Sequence, residues 1–237
     1  MSGLDAVLKT VQALSQSLGR APPRLVAVSK LQPAAAVLAA HAAGCRHFGE
    51  NYVQELLEKA PQCPGDVRWH FIGQLQSNKA KALVAGVPNL WAVESVDSVK
   101  LAQLLDKAAG ARAAAAAGGG AAPEPLRVFV QINTSGEEQK GGVGPGEGAA
   151  LALFIAQQCP HLRLQGLMTI GKLGEVASVY FERLAGERDA VAAALGVDAG
   201  ALELSMGMSG DFELAMEKGS SSIRVGSAIF GAREAKH

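Results

Sequence analysis

The sequence predicts a (β/α)8 barrel, and three observations carry that prediction. Short apolar runs alternate with stretches of helical periodicity from one end of the chain to the other. Eight such strand–helix units can be counted if an extra N-terminal helix is the one that closes the ring, and eight is the closing number. Small and polar residues collect where the apolar runs end, as they do at the C-terminal face of such a barrel. A doubly wound open sheet would show the same alternation; the count of eight favours closure.

The first helix rests on Leu4, Val7, Leu8, Val11, Leu14 and Leu18, spaced as one face of an amphipathic helix. A transit peptide is the competing reading, and Asp5 and the few basic residues before Leu25 argue against it. Residues 25–28 are an unbroken apolar run that reads as a buried strand, ending on Ser29 and Lys30. Side chains alternate along a strand, so Val26, Val28 and Lys30 share a face, which places an amine at the lip of an apolar wall. Burial disfavours the ammonium form and leaves free amine able to attack an aldehyde. A lysine that snorkels into water is the alternative.

Further along, 33–43 is an alanine-rich helix, 47–50 a strand, 51–59 a helix and 61–65 a loop. Strand 69–73, helix 77–85, strand 90–94 and helix 96–109 follow. Residues 110–125 are low in complexity, and their glycines and prolines oppose a helix. They read as a solvated loop inserted before the fifth strand, within a single domain spanning 1–237. Strands at 126–133, 164–170, 202–206 and 222–226 and helices at 147–158, 176–195 and 212–218 complete the set. The glycine-rich 141–148 lacks the Gly-Lys-Ser/Thr ending of a P-loop and reads as a flexible loop.

Composition narrows the function. Lys+Arg and Asp+Glu balance at 22 each, so there is no electrostatic footprint for nucleic acid or an anionic membrane. No apolar run approaches the ~20 residues of a membrane span. Cys45, Cys63 and Cys159 stand far apart, which points to reduced thiols in a cytoplasmic compartment. A mitochondrial or plastid location would need an upstream targeting segment. The histidines show no metal-ligand spacing, and no metal is expected.

At the strand ends stand Lys30, Glu50–Asn51, Gly73–Gln74, Glu94–Ser95, Asn133–Thr134, Met168–Thr169, the run Ser205 to Ser209, and Gly226–Ser227. One amine among amides and hydroxyls suits a polar, phosphorylated ligand. Arg224 and Gly226 face the same way, and Ser227 starts a turn whose N–H groups could hold a phosphate. A tight, small-residue barrel closure is the alternative. An arginine pointing inward needs an acceptor, either a pyridine nitrogen or an ion pair with Glu50 or Glu94. Met168, Met206 and Met208 read as core filler.

Six stretches together resemble the pyridoxal phosphate homeostasis protein family, single-domain relatives of the alanine racemase N-terminal barrel (fold type III). They are AVSK at 27–30, HFGENYVQE at 47–55, WHFIGQLQSNK at 69–79, GLMTIG at 166–171, SMGMSGDFELAMEKGS at 205–220 and IRVGSAIFG at 223–231. The resemblance implies pyridoxal 5'-phosphate (PLP) held as a Schiff base on Lys30, with Arg224 at the pyridine nitrogen. It also implies phosphate held by Ser209, Gly226 and Ser227, with Asn51 near the cofactor. It further implies a monomeric carrier of PLP and other B6 vitamers that serves apo PLP enzymes by transient contact, without established catalysis. A weak amino-acid racemase is the alternative. That chemistry needs a second base, commonly tyrosine, and the chain has only Tyr52 and Tyr180. Related racemases bring the second base from an additional β domain, and none is expected after His237. Arginine at the ring nitrogen also leaves PLP a weak electron sink. The expectation is a PLP-binding protein with no catalytic residue.

Overall fold

The computed structural model describes residues 3–116, 124–137, 140–171 and 177–231. Eight parallel strands run in order: β1 (Arg24–Val28), β2 (His47–Glu50), β3 (Arg68–Phe71), β4 (Leu90–Val96), β5 (Leu126–Gln131), β6 (Leu162–Met168), β7 (Glu203–Ser205) and β8 (Ser222–Val225). β8 returns to pair with β1, so the sheet is a closed barrel and not an open one. Strands covered on both faces read as continuous apolar runs, which is why 25–28 and 126–130 carry so few polar residues.

The outer faces pack under helices α1 (Gly3–Leu18), α2 (Ala34–Ala42), α3 (Val53–Lys59), α4 (Ala80–Gly86), α5 (Val99–Ala116), α6 (Gly148–Gln158), α7 (Ala177–Leu195), α8 (Phe212–Glu217) and the single turn α9 (Ser227–Phe230). Phe48, Trp69 and Phe71 are buried in the main core on this side, with Leu56 and Leu83 from the helices above. α1 uses its amphipathic face to cover the seam: Val7 and Val11 pack with Phe212 and Met216 of α8 and with Ile223 and Val225 of β8. A small apolar cluster of Ala92, Phe129 and Met168 is separate from that main core. Among the described residues no helix is long and apolar enough to cross a membrane.

Two expectations are corrected. The low-complexity stretch was expected to be loop from residue 110, yet α5 continues to Ala116; residues 117–123 lie outside the described residues. Alanine is the strongest helix former, and the run from Ala113 offsets the single Gly110. Gly110 also has a packing reason, since a Cβ there would come within 2.8 Å of the His161 ring. The glycine-rich loop, expected to be flexible, is tied to the end of β5. Val143 bridges Ile132, and Gln131 donates to the Gly141 carbonyl at 2.8 Å.

The helical extension has a direct check. Ala111 is exposed, so Ala111→Gly should cost about 1 kcal/mol in urea unfolding. A loop at this position would lose nothing measurable.

Candidate functional site

The barrel's inward face is set by register. Arg224 lies opposite Val26, and a Cβ on Gly49 would meet Val26, Val28 and Ile72 at 3.1, 3.5 and 3.1 Å. Above these side chains, at the C-terminal ends of the strands, opens a cavity of about 460 Å3. That volume falls within the ~300–1,000 Å3 typical of cofactor sites. Lys30, Asn51, Ser209, Arg224, Gly226 and Ser227 all line it, while Val28, Ile72, Ile170 and Met208 supply its apolar wall. The six residues expected around the cofactor thus line one cavity, whereas Glu50, Gln74, Glu94, Asn133 and Thr169 from the other strand ends do not.

Each lining residue is placed by a local device. Lys30 follows β1 in a turn closed by the Gln32 N–H donating to the Ser29 carbonyl at 3.0 Å. Asn51 follows β2, and only glycine fits beneath it: a Cβ on Gly73 would lie 2.1 Å from the Asn51 carbonyl oxygen. Its Oδ1 is buried without a protein partner among the described residues. After β7, Gly207 adopts φ 97°, and its carbonyl accepts the Arg224 N–H at 2.9 Å. The reversal carries Ser209 to the start of α9. There its Oγ accepts the Gly226 and Ala228 N–H groups at 3.1 and 3.4 Å. Those amides converge on one oxygen, the arrangement an anionic oxygen also uses.

Arg224 is held from below. Its Nη1 donates to Ser205 Oγ at 2.6 Å and its Nη2 to the Thr169 carbonyl at 2.7 Å. Ser205 in turn donates to Glu94 Oε2 at 2.5 Å. Glu94 Oε1 meets His70 Nδ1 at 2.5 Å, and His70 Nε2 meets His47 Nδ1 at 2.8 Å. Arg68 lies 3.4 Å from His47 Nε2. A guanidinium only donates, so His47 carries its proton on Nδ1 and passes it toward His70, which carries its own toward Glu94. Every donor in the chain points at one carboxylate.

The electrostatics follow. Burial works against the Glu94 charge, but the bonds from His70 and Ser205 and the charge of Arg224 hold its carboxyl below the usual range. Burial pushes Arg224 below its ordinary value, with Glu94 and Asp211 opposing. Burial, His70 and the surrounding arginines push His47 down to about 2. His70 is also lowered, by burial, against the pull of Glu94.

The open choice for Arg224 is therefore settled in part: Glu94 is its counter-ion, through Ser205 and not by direct contact. Glu50 lies outside the barrel wall, bonded to Lys59. Met168 and Met206 are buried core residues, but Met208 lines the cavity. Thr134 and Thr169 bond each other at 2.8 Å. His47 and His70 carried no signal in the sequence beyond their alternation with Phe48 and Phe71, since nothing local says that an inward histidine will meet a carboxylate on the neighbouring strand, as His70 meets Glu94. Among the described residues no group of three His, Cys, Asp or Glu is placed to hold a metal ion.

A closed parallel barrel with an amine, a buried guanidinium and an anion-gathering turn at one end defines a class: barrels with a site built for a polar, anionic ligand. Comparison with known proteins narrows it. Residues 3–234 match the family described as alanine racemase, N-terminal domain. The human pyridoxal phosphate homeostasis protein is 44% identical, over 98% of this chain and 87% of its own. The Caenorhabditis elegans protein of that name is 46% identical, over 99% and 94%. PipY of Synechococcus elongatus, solved with PLP bound, superposes with a TM-score of 0.71 at 34% identity, covering 94% of this chain and all of that one. The chain belongs to the pyridoxal phosphate homeostasis protein family, within the alanine racemase N-terminal barrels.

The neutral histidines make a pH prediction. His47 titrates at about 2 in the folded protein and near 6.5 when unfolded. Between those values the unfolded chain holds a proton that the folded one does not, so stability rises with pH across the interval. The unfolding free energy read from urea titrations should fall as pH drops from about 7 to about 5, by up to ~1.4 kcal/mol per pH unit for each such histidine. His47→Asn should flatten that slope, and an unchanged slope would show that His47 does not contribute to it.

Proposed function

We propose that this protein holds PLP as a Schiff base on Lys30 and serves PLP homeostasis as a carrier and donor to apo-enzymes. One observation carries the reading. A single cavity gathers the Lys30 amine, the Arg224 guanidinium and the Ser209–Gly226–Ser227 turn. When bound, PLP supplies an aldehyde that an amine captures reversibly. The residues divide the rest of the work. Lys30 provides the amine at the rim of an apolar wall. Arg224 has more N–H donors than Ser205 and Thr169 use, and those that remain serve the pyridine nitrogen. Ser209, Ser227 and the Gly226 N–H hold the phosphate, and Asn51 Oδ1 offers an acceptor beside the ring.

The same geometry speaks for carriage over catalysis. Among the described residues lining the cavity, Lys30 and Arg224 are the titratable ones. Tyr52 lines a separate groove with Leu31 and Pro33, and Tyr180 is buried on α7, so neither is placed as a second base. The free thiols of Cys45, Cys63 and Cys159 suit the cytoplasm.

Ser227→Asp should weaken PLP by roughly tenfold or more through charge repulsion with the phosphate, while pyridoxal, which lacks the phosphate, is little affected. Equal loss of both would make the residue a support for the barrel. Carriage and catalysis separate in one pair of assays. Loaded protein mixed with an apo PLP enzyme should restore that enzyme's activity. With L- or D-alanine, serine or lysine in heavy water it should give no inversion and little deuterium at Cα. Multiple-turnover racemisation that disappears in Lys30→Ala would replace the carrier with an enzyme.

A further inference from the structure

On the far side of β1 from the cavity lies a buried charge cluster that the site does not use. Lys59, at the end of α3, is 5% exposed and Glu50 is fully buried. The Lys59 ammonium donates to Glu50 Oε1 at 2.6 Å, to Glu55 Oε1 at 2.8 Å and to the Ser29 carbonyl at 2.9 Å. Glu50 Oε1 also accepts the Ser29 hydroxyl at 2.7 Å, and Glu55 Oε1 accepts the Leu31 N–H at 2.6 Å. Burying a cation with carboxylates is costly, and an apolar trio would fasten helix to strand at least as well. A buried ion cluster is thus weak evidence of a stabilising role alone.

Its geometry is more specific. The bonds end on Ser29 and Leu31, the two neighbours of Lys30. Those residues belong to the turn closed by Gln32 N–H and Ser29 carbonyl, with Lys30 second and Leu31 third. Leu31 has φ 62°, and among the described residues it is the one non-glycine at positive φ. The third position of such a turn ordinarily takes glycine or asparagine, and a leucine persists there only where its surroundings over-determine it. Released, Leu31 would return to negative φ, the 30–31 peptide would rotate, and Lys30 would lose its aim into the cavity.

We infer that Lys59, with Glu50 and Glu55, forms a positioning cluster that holds the strained turn and so keeps Lys30 presented to the cofactor aldehyde. The inference rests on Lys30 being the attachment residue. In that step the Lys30 nitrogen adds to the aldehyde carbon, a C–N bond forms, and the aldehyde oxygen leaves as water with two protons from the nitrogen. The cluster touches none of these atoms. It sets the fraction of molecules in which the amine stands where the aldehyde arrives, and apparent affinity falls in proportion to that fraction.

The test uses the full chain and reads binding, not turnover. Lys59→Met keeps the side chain's length and removes its bonds. Studied well below its melting temperature, it should raise the apparent dissociation constant for PLP, read from the Schiff-base absorbance, by about tenfold. Borohydride trapping should slow in parallel, with the trapped group still on Lys30 by peptide mapping. Adding Leu31→Gly should return the affinity to within a few-fold of the unaltered protein, because glycine holds positive φ unaided. Leu31→Gly alone should leave affinity unchanged. If Lys59→Met does not fold, Glu55→Ala, at the more exposed end of the cluster, removes the acceptor for the Leu31 N–H and should show the same loss and rescue. Unchanged affinity in a folded cluster variant overturns the inference, as does a loss that Leu31→Gly fails to restore. Trapping on another lysine in the unaltered protein instead overturns the attachment residue, and the positioning role with it.

Discussion

A guanidinium cannot shed its charge, and Arg224 is buried inside a barrel with 4% of its surface exposed. That constraint organises the interior. Glu94 of β4 supplies the opposite charge, Ser205 of β7 relays it, and Thr169 just past β6 takes a second donor. Glu94 needs partners of its own, and His70 of β3, backed by His47 of β2, provides them. Remove the arginine and a buried carboxylate loses its counter-charge; remove the carboxylate and the arginine does. Such networks hold only when complete, so the strands that carry them are held in one register.

Two sides of the sheet thus prepare the two ends of one ligand. The interior network aims Arg224 upward into the cavity, and the cluster outside the wall fixes the turn that carries Lys30. Neither set of residues need touch what binds. Both act by removing alternatives, so that little order is left to impose when a ligand arrives.

Much of this was legible in the sequence, for physical reasons. Strand order follows from apolar runs and turn residues, which act locally, and the barrel follows from their number. Lys30, Arg224 and the Ser209–Gly226–Ser227 turn were legible because they stand at strand ends, where alternation tells which way a side chain faces. Their common cavity could be expected only from the closed topology. The helical residues 110–116 were misread because the glycines and prolines beyond them drew the eye from a run of alanines. Glu94 was one of two carboxylates the sequence offered to Arg224, but its choice over Glu50, and the parts played by His70 and Lys59, were illegible for another reason. Whether a buried charge finds its partner depends on neighbours that are distant in sequence, and periodicity carries no record of them. Leu31 was hidden too, since nothing in a leucine announces positive φ.

The cavity is built across the seam where β8 meets β1, so almost the entire chain lies between Lys30 and Gly226. Contacts of that sequence separation are the slowest kind to form, because the long loop must be closed before any of them helps. A growing chain therefore has no site at all until its last strand docks. Anything that binds the finished barrel, and not its open precursors, draws the folding equilibrium toward completion by mass action. A ligand seated across this seam would in this sense also be a folding ligand.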